Sequence, residues 1–188
     1  MQTRYLFIFI LVLTLSGWLP SAEAAVRTFN LEATYGYIST PDGGQTYIWG
    51  FAEGGRIQYP GPVLDVNEGD EVIVNLINNL PDTDGSGPLK ADPVSLLFSG
   101  QEGVSNQEPV YEVTGDKASL RSFAEEAAPD GGSVTYRFIA GRPGTFYYQS
   151  GTYPHKHIDM GLIGGLIIRP AGYNPDLNKR AYSTDDSV

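Results

Sequence analysis

The chain has 188 residues, 41% of them hydrophobic and 12% aromatic, with 23 Gly, 13 Pro and only 18% charged, enough for one domain with a core and at odds with disorder or long charged helices. The absence of Cys excludes disulfides, thiolate zinc, iron–sulfur clusters, a cysteine nucleophile and a blue-copper site, and two histidines exclude a multi-histidine cluster built from this chain alone. A balance of 12 Lys and Arg against 22 Asp and Glu leaves a net charge of −10, which repels nucleic-acid phosphate and an anionic membrane surface.

The first 24 residues read as a secretory leader. Arg4 is the positive n-region, residues 5–19 form an apolar run, and Ala22-Glu23-Ala24 is a small-x-small cleavage site. The run is short for a membrane span, which takes about 20 apolar residues. Cleavage removes only Arg4 and Glu23 among the charged residues, so the expected product keeps its −10 charge and is secreted or periplasmic, with no membrane attachment.

Beyond the leader the hydrophobic period is two. Phe29, Leu31 and Ala33 alternate with polar neighbours, as do Val72, Val74 and Leu76. Further strands are expected at 46–52, 63–66, 94–98, 133–138, 145–149 and 162–169, separated by turn chemistry such as Tyr59-Pro60-Gly61-Pro62, Asn67-Glu68-Gly69-Asp70 and Gly141-Arg142-Pro143-Gly144. Residues 79–92 and 99–116 read as long polar loops, 120–128 as the only short helix, and 171–188 as a flexible tail or interdomain connector. The expected fold is all-β, a single Greek-key β-sandwich of seven or eight strands over residues 25–170. Leu76, Val94, Leu96, Phe138, Phe146, Leu166 and Ile168 are expected in its core. Gly69 and Gly144 fall where tight turns need positive φ, and Gly161, Gly164 and Gly165 where a strand passes close to another backbone.

Two segments carry a family resemblance. Residues 59–80, YPGPVLDVNEGDEVIVNLINNL, and residues 144–151, GTFYYQSG, followed by 160–170, MGLIGGLIIRP, resemble in order and spacing the PGP, GD, NNL, GTYWYHSH and GLxGxLIV blocks of the multicopper oxidase family. The similarity is to the N-terminal plastocyanin-like (cupredoxin) domain of laccases and copper-resistance oxidases. In that family two His-x-His pairs hold type 2 and type 3 coppers, and the remaining ligands lie in a later domain. The matching positions here are Leu97, Ser99, Gln149 and Gly151. Leucine and glycine side chains offer no donor, and a hydroxyl and a neutral amide suit copper poorly. The resemblance therefore implies a structural or weakly copper-binding module without oxidase activity of its own. A first alternative is the N-terminal domain of a split or truncated oxidase whose copper centres lie on a partner domain, and a homo-oligomer is a further arrangement. A second alternative is a carbohydrate- or polymer-binding sandwich using Trp49, Phe51, Tyr147, Tyr148 and Tyr153.

Two residual metal motifs remain. His155-Lys156-His157 lies in an expected loop ahead of Met160, where two imidazoles on one extended segment reach one Cu(II), with Met160 or Asp159 as helpers; two solvated histidines and a core Met are the plain alternative. Asp82-Thr83-Asp84-Gly85-Ser86-Gly87 opens like a calcium loop, but Pro93 stands where a bidentate Glu would close it, which favours a solvated turn. The carboxylates Glu102, Glu125, Glu126 and Asp130 show no spacing that suggests acid–base catalysis.

Overall fold

The computed structural model describes residues 24–81 and 92–173. Residues 1–23 of the expected leader, the calcium-like motif at 82–87 and the tail beyond Tyr173 lie outside those residues.

Eleven strand segments form two facing sheets and a hairpin. β1 (Val26–Ser39), β2 (Gln45–Glu53), β3 (Arg56–Ile57), β5 (Glu71–Asn78) and β9 (Gly132–Ile139) make a five-stranded sheet in the order β3-β2-β1-β5-β9. β4 (Gly61–Asn67), β6 (Leu97–Phe98), β10 (Gly144–Gln149) and β11 (Ile163–Arg169) make a four-stranded sheet in the order β4-β11-β10-β6. β7 (Val110–Thr114) and β8 (Lys117–Ser122) form a hairpin, with one further bridge from Ser122 to Thr152. β1 runs parallel to β5, with Val26 opposite Glu71, and β11 parallel to β4; the other pairs are antiparallel. The chain is an all-β sandwich.

The period-two pattern places the core between the sheets. Leu31 and Ala33 of β1, Val72, Val74 and Leu76 of β5, Val134, Tyr136 and Phe138 of β9, and Leu64, Tyr148, Leu166 and Ile168 from the second sheet are buried together. Six of the seven expected core residues lie in this cluster, and Phe146 is only partly buried and packs against it. Gly69 takes φ 91° in the turn into β5, as its position requires. The close approach at Gly164 has a different obstacle from the one expected. A Cβ there would lie 2.3 Å from the Tyr148 ring rather than against backbone.

Three expectations are corrected. Residues 120–128 are not helical: Leu120 belongs to β8, and Val94 bridges to Ala127. The polar loop 99–116 contains β7, whose strand pairing holds although nearly every residue is exposed. The expected loop 151–159 contains the one helix among the described residues, α1 (Pro154–Met160). Its start is marked by Pro154, whose missing N–H costs nothing in the first turn, and its end by Gly161 in the left-handed region.

Candidate functional site

The pairing of β6 with β10 brings together the four positions that the resemblance implies as ligand sites. Leu97 lies opposite Gln149, so both side chains leave the ladder on one face. Ser99 and Gly151 lie two residues on from this pair in opposite directions, because the strands are antiparallel. The Ser99 N–H donates to the Tyr147 carbonyl at 3.2 Å, and a Cβ on Gly151 would lie 3.6 Å from that of Leu97. The donor set does not fit copper: one aliphatic side chain, one hydroxyl, one amide and one residue with no side chain. Gly151 also lacks room, because a Cβ would lie 3.0 Å from Ser95 Oγ. Among the described residues no three His, Asp or Glu side chains gather in a metal-binding group.

Beside Gly151 sits a buried hydroxyl network. Thr152 Oγ1 contacts Ser95 Oγ at 2.9 Å, Ser122 Oγ at 3.1 Å and the Glu126 carboxylate at 3.0 Å, while Ser95 and Ser122 are 2.8 Å apart. Ser95, Ser122 and Thr152 are fully buried. Arg121 caps the network by an ion pair with Glu126, its Nε donating to both carboxylate oxygens at 3.2 and 3.0 Å. Every one of these buried polar groups has a partner, the condition under which such a network is stable. Its members are Ser, Thr and Glu from three separated segments, so no sequence spacing announces them.

α1 separates the two histidines. Residues two apart on a helix point about 200° apart, and His155 is exposed while His157 is fully buried. The extended segment on which a shared copper site depended is therefore absent. His157 Nε2 lies 3.3 Å from Asp92 Oδ2, and since a carboxylate only accepts, Nε2 carries the proton. Nδ1 lies 2.7 Å from the Ser150 hydroxyl, which also contacts the Thr152 carbonyl at 3.2 Å. Lys156 donates to the same Asp92 oxygen at 2.6 Å and places its ammonium 4.8 Å from the Trp49 ring centroid. Partial burial pushes the Asp92 carboxyl up, but the hydrogen bonds from His157 and Lys156 outweigh it and hold the group below the ordinary carboxylate range. Met160 packs against the core and Asp159 is exposed. Ser150, His157 and Asp92 form a connected chain, in which Ser150 is fully buried. Asp92 lies 65 residues from His157, a partnership that only the fold creates.

The aromatic residues read as a platform do not share a surface. Trp49, Phe51 and Tyr148 are core residues, with the Phe51 and Tyr148 rings 5.4 Å apart, while Tyr147 points outward. A different group is exposed, Tyr35 and Tyr37 of β1 beside Tyr47 of β2, with centroids 6.1 and 5.5 Å from Tyr47. By strand alternation these rings lie on the same face of β1 and β2 as the core residues Leu31 and Ala33.

Residues 32–85 match the family model described as multicopper oxidase. The L-ascorbate oxidase of Cucurbita maxima is 29% identical over 193 residues, an alignment covering 100% of this chain and 28% of that protein. Multicopper oxidase MCE of Talaromyces pinophilus is 31% identical over 157 residues, covering 82% of this chain and 22% of its own length. The solved multicopper oxidase mgLAC superposes with a TM-score of 0.59 at 28% identity, covering 84% of this chain and 43% of that one. The chain spans about a quarter of the length of these curated relatives.

Proposed function

Because the chain belongs to the multicopper oxidase family as a cupredoxin-like domain, we propose that it is an exported module of that family with no oxidase chemistry of its own. The observation that carries this reading is the face formed by Leu97, Ser99, Gln149 and Gly151, where no imidazole stands and a Cβ on Gly151 would crowd Ser95 Oγ. Four-electron reduction of oxygen needs a copper that accepts electrons and a cluster that holds oxygen. This chain offers neither a thiolate for the first nor a set of imidazoles for the second. The test is the purified, processed chain with Cu(II) and a phenol in an oxygen electrode. A colourless protein that adds nothing to the rate of copper alone is expected. Oxygen uptake coupled to phenol oxidation, free of other copper proteins, would overturn the reading.

A second reading is supported by one surface. The outer face of the four-stranded sheet exposes Val63 and Tyr147, with Phe123 beside Gly151, and an apolar patch of this kind suits a protein contact. A copper-bearing cupredoxin domain, carrying its own Cys and paired histidines, is the occupant under this reading. Sedimentation of a mixture with such a domain tests it: complex formation lost in Val63→Asp or Tyr147→Asp supports it, and two independent species or self-association alone overturn it.

A further inference from the structure

The first described residues enter the fold at a buried carboxylate. Ala24 is exposed and Ala25 half-buried. The Ala25 backbone N donates to Asp70 Oδ1 at 2.9 Å, and its carbonyl accepts from the Glu71 N–H at 2.9 Å, the first rung of the parallel β1–β5 ladder. Asp70 is only 2% exposed. Its other oxygen accepts from the Asn67 N–H at 2.9 Å and from Arg27 Nε at 3.2 Å. We propose that hydrolysis of the Ala24–Ala25 peptide bond makes the Ala25 nitrogen an α-ammonium that stays on Asp70 as an internal ion pair, so that leader removal locks β1 into the sandwich.

The step needs only water and a leader peptidase. The C–N bond breaks, the water oxygen goes to the Ala24 carbonyl carbon to give a carboxylate, and the Ala25 nitrogen leaves as an amine that is protonated at neutral pH. A backbone N–H that served Asp70 as a neutral donor becomes a cationic one, the stronger kind of partner for a carboxylate. Position matters because one residue of extended chain spans about 3.3–3.6 Å. Cleavage one residue away would carry the charge out of hydrogen-bond reach. The charged groups around this spot are Arg27 on β1, Asp70 itself, and Glu71 on β5 with Arg137 of β9 at 3.9 Å. Burial pushes the Asp70 carboxyl up, and the hydrogen bonds from Asn67, Ala25 and Arg27 more than offset it, holding the group ionised.

Pairing raises the α-amine's pKa above its free value of about 7.7–8.0, so its stabilisation is complete below that value and is lost as pH rises through the folded one. The full chain exported from cells is purified and its N-terminus read by mass; Ala25 is expected, and any other first residue overturns the proposal. The α-amine of this protein is then labelled with acetic anhydride, native and denatured. A shift of one pKa unit makes labelling at a fixed pH about tenfold slower in the native protein, so equal native and denatured rates overturn the proposal. Protein acetylated selectively at the α-amine while unfolded and then refolded should melt lower at pH 7, and Asp70→Asn should remove that difference. The wild-type labelling rates decide the matter even if the variant does not fold.

Discussion

Both ring nitrogens of His157 are committed, Nδ1 to Ser150 and Nε2 to Asp92, and the imidazole itself is fully buried. A copper ion taking this imidazole would displace a buried hydrogen bond and strand its partner, a loss of roughly 1–3 kcal/mol. His155, exposed on the other side of α1, carries no such cost. Copper titration by EPR or calorimetry should therefore show histidine-dependent binding that His155→Ala abolishes and His157→Ala leaves in place. Equal loss in both variants would restore the shared site. His157→Ala should act on stability instead, by roughly 1–3 kcal/mol in chemical denaturation, because the Asp92 and Ser150 groups lose a buried partner.

β10 and β11 meet where Gly164 faces the Tyr148 ring, and that ring has nowhere to go. Its hydroxyl donates to the Pro62 carbonyl at 2.6 Å and its faces are packed against Phe51 and Phe98. Gly164→Ala should therefore cost roughly 1–3 kcal/mol of overpacking strain. Gly165→Ala, whose Cβ would meet only Val63 Cγ2 at an ordinary 3.7 Å, should cost much less. Denaturant midpoints of the two variants make the comparison directly. Thr152→Val tests the hydroxyl network in the same way. It keeps the shape and removes the oxygen shared by Ser95, Ser122 and Glu126, again at roughly 1–3 kcal/mol. The elements most legible in the sequence are those with one wet and one dry face, such as β5 and β9, because alternation records burial. β7 and β8 escape that reading since both their faces meet water, and α1 escapes because seven residues span too few turns to establish a period of 3.6. The ligand positions are legible as substitutions within a motif. The partners that stabilise His157 are not, since Asp92 and Ser150 reach it through separate segments.

At the scale of the molecule, the carboxylates set the acid limit of stability. Asp70 and Asp92 both sit below their ordinary value of 3.8 in the folded chain. A depressed carboxyl contributes stability that is present above its unfolded pKa and is lost as pH falls through the folded one. Two such groups anchor opposite parts of the sandwich, Asp70 the entry of β1 and Asp92 the buried face of α1. The melting temperature should hold steady from about pH 5 towards neutrality and fall steeply below about pH 4. Asp92→Asn should make the acid limb shallower and lower the neutral plateau, because the amide keeps the shape but not the charge that Lys156 pairs with. Asp70→Asn should do the same at the other end, and the two effects should add, as expected of sites with no shared partner. Melting curves at fixed ionic strength across this range measure all three. An acid limb unchanged in the double variant would assign acid unfolding to other carboxylates that are paired in the folded chain.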